Sequence, residues 1–300
     1  TENVTFTVTL GNAAAEAGTV TITVDGKDYT ESFAKGDTTI TFEVPNPNTE
    51  DVYKDASELT ATVKEVTGGG FEKLDFEGKS ATAQIGDTTN PTTVTLSVDK
   101  TTVEEGGTIT YTVTLNNMDD APSDQDIVVT LSNGQTITIP AGDMSATLTI
   151  GTRENDAYAQ DDEEVTVKIT GVSGGTDYED LKYDGDASVT TTVTDTPQGG
   201  DTPDDNDTTS VTISATDTVE GTENVTFTVT LENAAAEAGT VTITVDGKDY
   251  EQSFKAGDKT VTFEVPNPNA EDVYKDASEL TATVKEVTGG GFEKLDFEGK

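Results

Sequence analysis

Threonine alternates with β-branched and aromatic side chains along most of this chain. Val4-Thr5-Phe6-Thr7-Val8-Thr9-Leu10 and Thr19-Val20-Thr21-Ile22-Thr23-Val24 put apolar residues on one face and hydroxyls on the other. That is the period of a half-buried strand. The same alternation runs through residues 38–44, 58–66, 94–98, 127–131, 136–139, 146–150, 165–169 and 189–193. Asp25-Gly26 and Asn133-Gly134 sit between strands and suit type I′ hairpin turns. Ala13-Ala14-Ala15-Glu16-Ala17 is the one helical-looking stretch; it is too short to stand alone and is read as a loop turn. About seven short strands per ~110 residues, punctuated by Gly and Pro, predict an all-β chain: tandem Ig-like antiparallel β-sandwich domains in a linear array.

The strand pattern repeats. Residues 1–79 reappear at 222–300, identical at 71 of 79 positions with a constant offset of 221. That period is too long for a solenoid unit and fits two domains of about 110 residues each. The intervening segment is a divergent third version: Thr110-Tyr111-Thr112-Val113-Thr114-Leu115 matches Thr226-Phe227-Thr228-Val229-Thr230-Leu231. The expected organisation is a domain at 1–90, a domain at 91–197, an acidic linker at 198–208 and a domain at 209–300. The first is expected to lack the strand written at 210–215 in the third, and the third to lack the strand written at 80–85 in the first. Near-identity of alternating domains predicts a longer array.

Charge changes this picture. Asp and Glu number 58 against 17 Lys and Arg, a formal net charge of −41. Phosphate would be repelled, so nucleic acid is excluded as a partner, and an anionic membrane surface is disfavoured. Self-repulsion of this size destabilises a compact state unless cations offset it. Cys, His and Trp are absent. Disulfides, thiolate sites and the commonest general base and zinc ligand are therefore ruled out. The remaining donors are carboxylate, amide and backbone oxygens, a ligand set for a hard cation such as Ca²⁺. No apolar run is long enough to span a membrane and no signal peptide is visible.

With strands lettered A to G, the A–B and E–F loops meet at the pole where strand G ends, and three acidic segments map there. The A–B turn carries Glu104, Glu105 and Glu220. The E–F loop carries Glu50, Asp51 and Asp55, then Asp156, Asp161 and Asp162, then Asp272 and Asp276. Strand G ends at Asp87 and Asp195. Carboxylates so crowded repel one another unless a cation joins them. The segment after Asp195 adds Asp201, Asp204, Asp205 and Asp207; it reads either as a further ion site or as a flexible charged linker. Asp119, Asp120, Asp124, Asp126 and Asp177 crowd the opposite pole of the middle domain and are candidates to complete the first junction from the far side. No EF-hand loop and no Gly-Gly-x-Gly-x-Asp nonapeptide occurs, so the calcium expectation rests on convergence.

Val44-Pro45, Glu50-Asp51-Val52-Tyr53-Lys54-Asp55-Ala56, Val66-Thr67-Gly68-Gly69-Gly70-Phe71-Glu72-Lys73-Leu74 and Asp87-Thr88 resemble the extender repeats of giant RTX adhesins, which are type I-secreted proteins of Gram-negative bacteria. The resemblance covers all three domains. It implies Ca²⁺-stabilised Ig-like units that project a ligand-binding tip from the cell surface, in the extracellular space. It also implies a monomer whose partners are the neighbouring extender domains of the same chain. The expected role is a non-enzymatic spacer. Thr rows such as Thr5/Thr7/Thr9 and Thr19/Thr21/Thr23 offer an alternative, a flat ice- or carbohydrate-binding face. Catalysis by paired carboxylates lacks any accompanying aromatic lining.

Overall fold

The computed structural model describes residues 3–195, 206–275 and 277–299. Asp201, Asp204, Asp205, Asp276 and most of the 198–208 linker lie outside the described residues.

The first repeat contains β1 (Val4–Thr9), β2 (Gly18–Val24), β3 (Lys27–Phe33), β4 (Thr39–Val44), β5 (Ser57–Gly68) and β6 (Ser80–Ile85). The middle repeat contains β7 (Pro91–Val98), β8 (Thr102–Glu104), β9 (Thr108–Asn116), β10 (Ile127–Leu131), β11 (Thr136–Ile139), β12 (Ser145–Gly151), β13 (Glu163–Ser173), β14 (Asp180–Tyr183) and β15 (Ser188–Thr194). The third contains β16 (Thr208–Ala215), β17 (Asn224–Leu231), β18 (Gly239–Val245), β19 (Lys248–Phe254), β20 (Thr260–Pro266), β21 (Ala282–Gly289) and β22 (Lys294–Asp296).

The middle repeat forms two sheets, ordered β12-β9-β7-β14 and β11-β10-β13-β15-β8. With β7, β9, β10, β12, β13 and β15 as strands A, B, C, E, F and G, A, B and E share one sheet and C, F and G the other. This is the Ig-like arrangement. The third repeat has sheets β20-β17-β16-β22 and β19-β18-β21, and the first has β1-β4 and β3-β2-β5-β6. Most pairing is antiparallel, as expected. Three short parallel pairs were not foreseen: β14 with β7, β15 with β8 and β16 with β22.

The chain divides into two compact units. One comprises Thr1–Ser97, Thr112–Thr147 and Val167–Ser188; the other comprises Val98–Tyr111, Leu148–Thr166 and Val189–Lys300. In the first, Phe6, Val20, Ile22, Phe33 and Phe42 build the core, with Phe6 directly opposite Phe42 on β4. In the second, Val211, Phe227, Val229, Ile243 and Phe263 do the same. Each such side chain, fully buried, contributes about 2 kcal/mol. Alternation is therefore read directly into packing, and the Thr positions between them face outward.

Asp25 and Gly26 both have positive φ (48° and 76°), as a type I′ turn demands. Asn133-Gly134 departs from that expectation: only Gly134 is left-handed. Its amide donates to Leu131 O at 3.0 Å and Gln135 N–H donates to the Asn133 side chain at 3.1 Å. The Asn side chain thus holds its own turn in a right-handed start with a glycine exit.

Candidate metal centre at the domain poles

Each E–F loop opens with the same device. Asp51 Oδ1 accepts the Tyr53 amide at 2.7 Å, Asp156 Oδ1 the Tyr158 amide at 2.8 Å, and Asp272 Oδ1 the Tyr274 amide at 2.7 Å. The Asp side chain fixes a turn through the residue two positions on, and the second oxygen accepts locally in two of the loops, from Thr49 Oγ1 at 3.3 Å for Asp51 and from Gln160 Nε2 at 3.0 Å for Asp156. The Tyr then reaches forward. Tyr53 stacks on Tyr178 with ring centroids 5.6 Å apart, and Tyr158 on Phe292 at 5.9 Å. A two-bond antiparallel bridge accompanies each stack. Lys54 N–H donates to Asp177 O (2.9 Å) and Glu179 N–H to Val52 O (3.0 Å); Ala159 N–H donates to Gly291 O (3.0 Å) and Glu293 N–H to Ala157 O (3.1 Å). The aromatic comes from a glycine loop. A Cβ on Gly290 would stand 2.4 Å from the Phe292 ring, so the ring folds back only over glycine.

The first pole gathers Glu50, Asp51, Asp55 and Asp87. Asp55 N–H donates to Asp87 Oδ2 at 3.3 Å. Burial and the neighbouring Asp87 raise the Asp55 carboxyl above its ordinary range. Glu50 Oε1 accepts from Asn90 Nδ2 at 2.7 Å and Thr88 Oγ1 at 2.8 Å, and these bonds lower its pKa. Glu179, from the following repeat, joins them by accepting the Asn90 amide. Burial first, then Asp87 and Asp51, push the Glu179 carboxyl upward.

The second pole is tighter. Glu105 and Asp195 are 4% and 8% exposed, and one oxygen from each lies within 4.8 Å of one from Glu293. Arg153 Nε donates to Glu105 Oε2 at 2.9 Å, and its Nη2 stands 3.6 Å from Asp195 Oδ1. Asp195 Oδ2 accepts the Gln160 amide at 2.8 Å. Both Glu293 oxygens are out of solvent and accept no hydrogen bond. Burial raises the Glu293 carboxyl to about 8, reinforced by Asp195, Asp207 and Glu105. Asp207 is itself buried.

The remaining expected residues fall elsewhere. Glu104 is exposed beside buried Glu105, and Asp161 and Asp162 are exposed at the rim near Asp195. Glu220 and Asp272 are exposed in the third repeat, where Val273 and Tyr274 are 91% and 75% exposed although their counterparts Val52 and Tyr53 are buried and half-buried. Asp177 accepts from Ser123 Oγ at 2.7 Å and from Asp124 N–H at 3.1 Å, and Asp126 accepts the Ala141 amide at 2.9 Å. These two carboxylates hold loops. Glu179 and Glu293 were missed by sequence reasoning. The available signal was a glycine pair followed by an aromatic and then Glu: Gly174-Gly175…Tyr178-Glu179 and Gly290-Gly291-Phe292-Glu293, with a third copy at Gly69-Gly70-Phe71-Glu72.

The family model of the LapA domain matches residues 1–88, 90–196 and 207–300. No curated protein sequence matches. Among solved structures, a 1.5-MDa bacterial ice-binding adhesin is similar at 17% identity and a TM-score of 0.25, covering 99% of this chain and 92% of that one. The adhesin FdeC of Escherichia coli is similar at 15% identity and a TM-score of 0.24, covering 90% and 83%. Fibronectin(III)-like modules of CbhA from Clostridium thermocellum are similar at 11% identity and a TM-score of 0.23, covering 68% and 91%.

Proposed function

Since this chain belongs to the LapA-domain family over nearly its whole length, we propose that it is a spacer of a large secreted adhesin, with Ca²⁺ locking each repeat to the next. The observation that carries this reading is Glu293. Its buried carboxylate has no hydrogen-bond donor and faces Glu105 and Asp195. An isolated buried carboxylate is strongly unfavourable, and two more beside it compound the cost. A divalent cation with oxygen ligands offsets all three. Glu105, Asp195 and Glu293 would hold it, with Asp207 beside them. At the first pole Asp51, Asp55, Asp87 and Glu179 would do so. When bound, the ion supplies positive charge that joins carboxylates of successive repeats.

The role is mechanical and extracellular, and catalysis has no part in it. Chelated, the poles repel; in millimolar Ca²⁺ the native state is stabilised by mass action. The Thr rows support the spacer reading over an ice- or sugar-binding face. In the second row every hydroxyl is engaged across strands: Thr19 with Thr67 at 2.7 Å, Thr21 with Thr30 at 2.8 Å, and Thr23 donating to Asp28 at 2.7 Å.

Calorimetric titration with Ca²⁺, followed by melting and small-angle scattering with and without chelator, tests this. Saturable binding, a higher melting temperature and a longer, stiffer particle in Ca²⁺ are expected. Identical melting and scattering in both conditions would overturn the proposal.

A further inference from the structure

Arg153 is the only arginine among the 300 residues, and it stands in the second pole. The E–F loops align on their Asp and Tyr, Asp51-Val52-Tyr53 with Asp156-Ala157-Tyr158. In that register Asn48 is replaced by Arg153, Glu50 by Asn155 and Asp55 by Gln160, while the third repeat keeps Asn269, Glu271 and Asp276. Each exchange makes the loop of the middle repeat less negative.

The exchanges keep the loop's backbone bonds and alter what its side chains face. Asn48 Nδ2 spans the first loop by donating to Asp55 O at 2.6 Å, and Arg153 Nη1 spans the second by donating to Asp161 O at 2.9 Å. The longer side chain then continues past the loop to Glu105 and Asp195. It is 17% exposed, and the two carboxylate side chains are 0% and 3% exposed, so solvent screens the attraction little. Asp55 and Gln160 each donate a backbone amide to the carboxylate at the end of strand G, Asp87 at 3.3 Å and Asp195 at 2.8 Å. Asp55 adds a second carboxylate there; the Gln160 side chain instead donates to Asp156 Oδ2 at 3.0 Å. Among the described residues, no Lys or Arg pairs with Glu50, Asp51, Asp55, Asp87 or Glu179 of the first pole.

We propose that the two poles are unequal joints. Arg153 is a built-in counter-charge that keeps the second pole closed when Ca²⁺ is scarce and lowers that pole's affinity for the ion. Metal therefore governs the first pole, whose carboxylates have no cationic side chain paired with them. This inference rests on the calcium reading above and adds an order to it. Ca²⁺ affinity follows the negative charge of the ligand set, so the first pole binds more tightly. A fixed positive charge beside an ion site repels the ion, so the second binds more weakly. Asp195 Oδ1 and both Glu293 oxygens still accept no hydrogen bond, so Arg153 does not satisfy the second pole fully and an ion remains useful there.

Calorimetric Ca²⁺ titration and hydrogen–deuterium exchange of the whole chain test this. Titration should resolve a tight and a weak class of site. Asp87→Asn should weaken the tight class at least about tenfold. Arg153→Gln should tighten the weak class at least about tenfold, and Arg153→Lys, which retains the charge, should leave it within about threefold of the parent. The bridging amides of Lys54 and Glu179 report the first pole, and those of Ala159 and Glu293 the second. In chelator the second pair should stay protected while the first exchanges, and Arg153→Gln should release both. Ca²⁺ binding with equal exchange at the two bridges in the parent chain, or a weak class that Arg153→Gln leaves unchanged, would overturn the unequal joints and leave the calcium reading standing. A folded chain that binds no Ca²⁺ at either pole would overturn both.

Discussion

Tyr53 and Tyr178 stack with their planes 8° from parallel, and Tyr178 donates its hydroxyl to Ala121 O at 2.7 Å. Burial, with Tyr53 and Asp177 nearby, raises the Tyr178 hydroxyl pKa, so both rings stay neutral at any physiological pH. The stack is thus an apolar contact set between acidic loops, and it holds successive repeats without adding charge.

Tyr53→Ala should lower stability by about 1–3 kcal/mol, combining lost stacking with a partial cavity. Tyr274→Ala should change it by less than about 0.5 kcal/mol, since that ring is 75% exposed. Differential scanning calorimetry of the two variants checks this. Equal effects would show that the tyrosine acts within its own loop and not through the stack.

Arg153 distinguishes the second pole from the first. Its guanidinium touches buried Glu105 and approaches Asp195, while the corresponding residue of the first repeat is Asn48, two before Glu50. Removing one partner of a buried pair leaves an uncompensated charge. Arg153→Leu should therefore cost about 3 kcal/mol in chelator, and much of that loss should return in millimolar Ca²⁺. Denaturant melts in both conditions measure the difference. A loss unchanged by Ca²⁺ would mean that the guanidinium and the ion do not serve the same carboxylates.

The strands were legible because Thr and β-branched residues alternate with a period of two, as Val4–Thr9 and Asn224–Leu231 show in their burial patterns. β3 was not, because Lys27–Phe33 is an edge strand in which only Phe33 is buried. β8, β14 and β22 were not, because three or four residues are too few to display alternation. Asp51, Asp87, Glu105 and Asp195 were legible as acids beside turns and strand ends. Glu179 and Glu293 were not, since each sits on the repeat after the pole it completes. Only folding brings them across.

Glu293→Gln separates repulsion from ligation. In chelator above about pH 8, where the Glu293 carboxyl is ionised, the amide removes a buried negative charge and can donate to Asp195, so the variant should melt higher than the parent chain there. In Ca²⁺ it removes an oxygen ligand, so affinity should fall by about tenfold or more. Calorimetric titration and paired melts read both. The two signs must oppose; a variant less stable in both conditions would assign Glu293 a structural role independent of metal.

The pH dependence follows from the same group. The Glu293 pKa rises from an ordinary 4.5 to about 8, because burial and the neighbouring carboxylates disfavour its charged form. A pKa raised on folding means that the folded state binds the proton more tightly than the unfolded chain. The stabilisation is therefore complete below the ordinary value of 4.5 and is lost as pH climbs through about 8. Glu179 and Asp55 shift in the same direction at the first pole. In chelator the melting temperature should accordingly fall as pH rises from 4.5 to about 8, the span between the ordinary and the raised value of Glu293. Ca²⁺ replaces the proton, so saturating metal should flatten the profile, and binding at the acidic end should release protons. Melts across that range, paired with titrations in buffers of different ionisation enthalpy, measure both effects. A chelated profile that rises with pH would show that the poles gain stability from ionised carboxylates and need no cation to close.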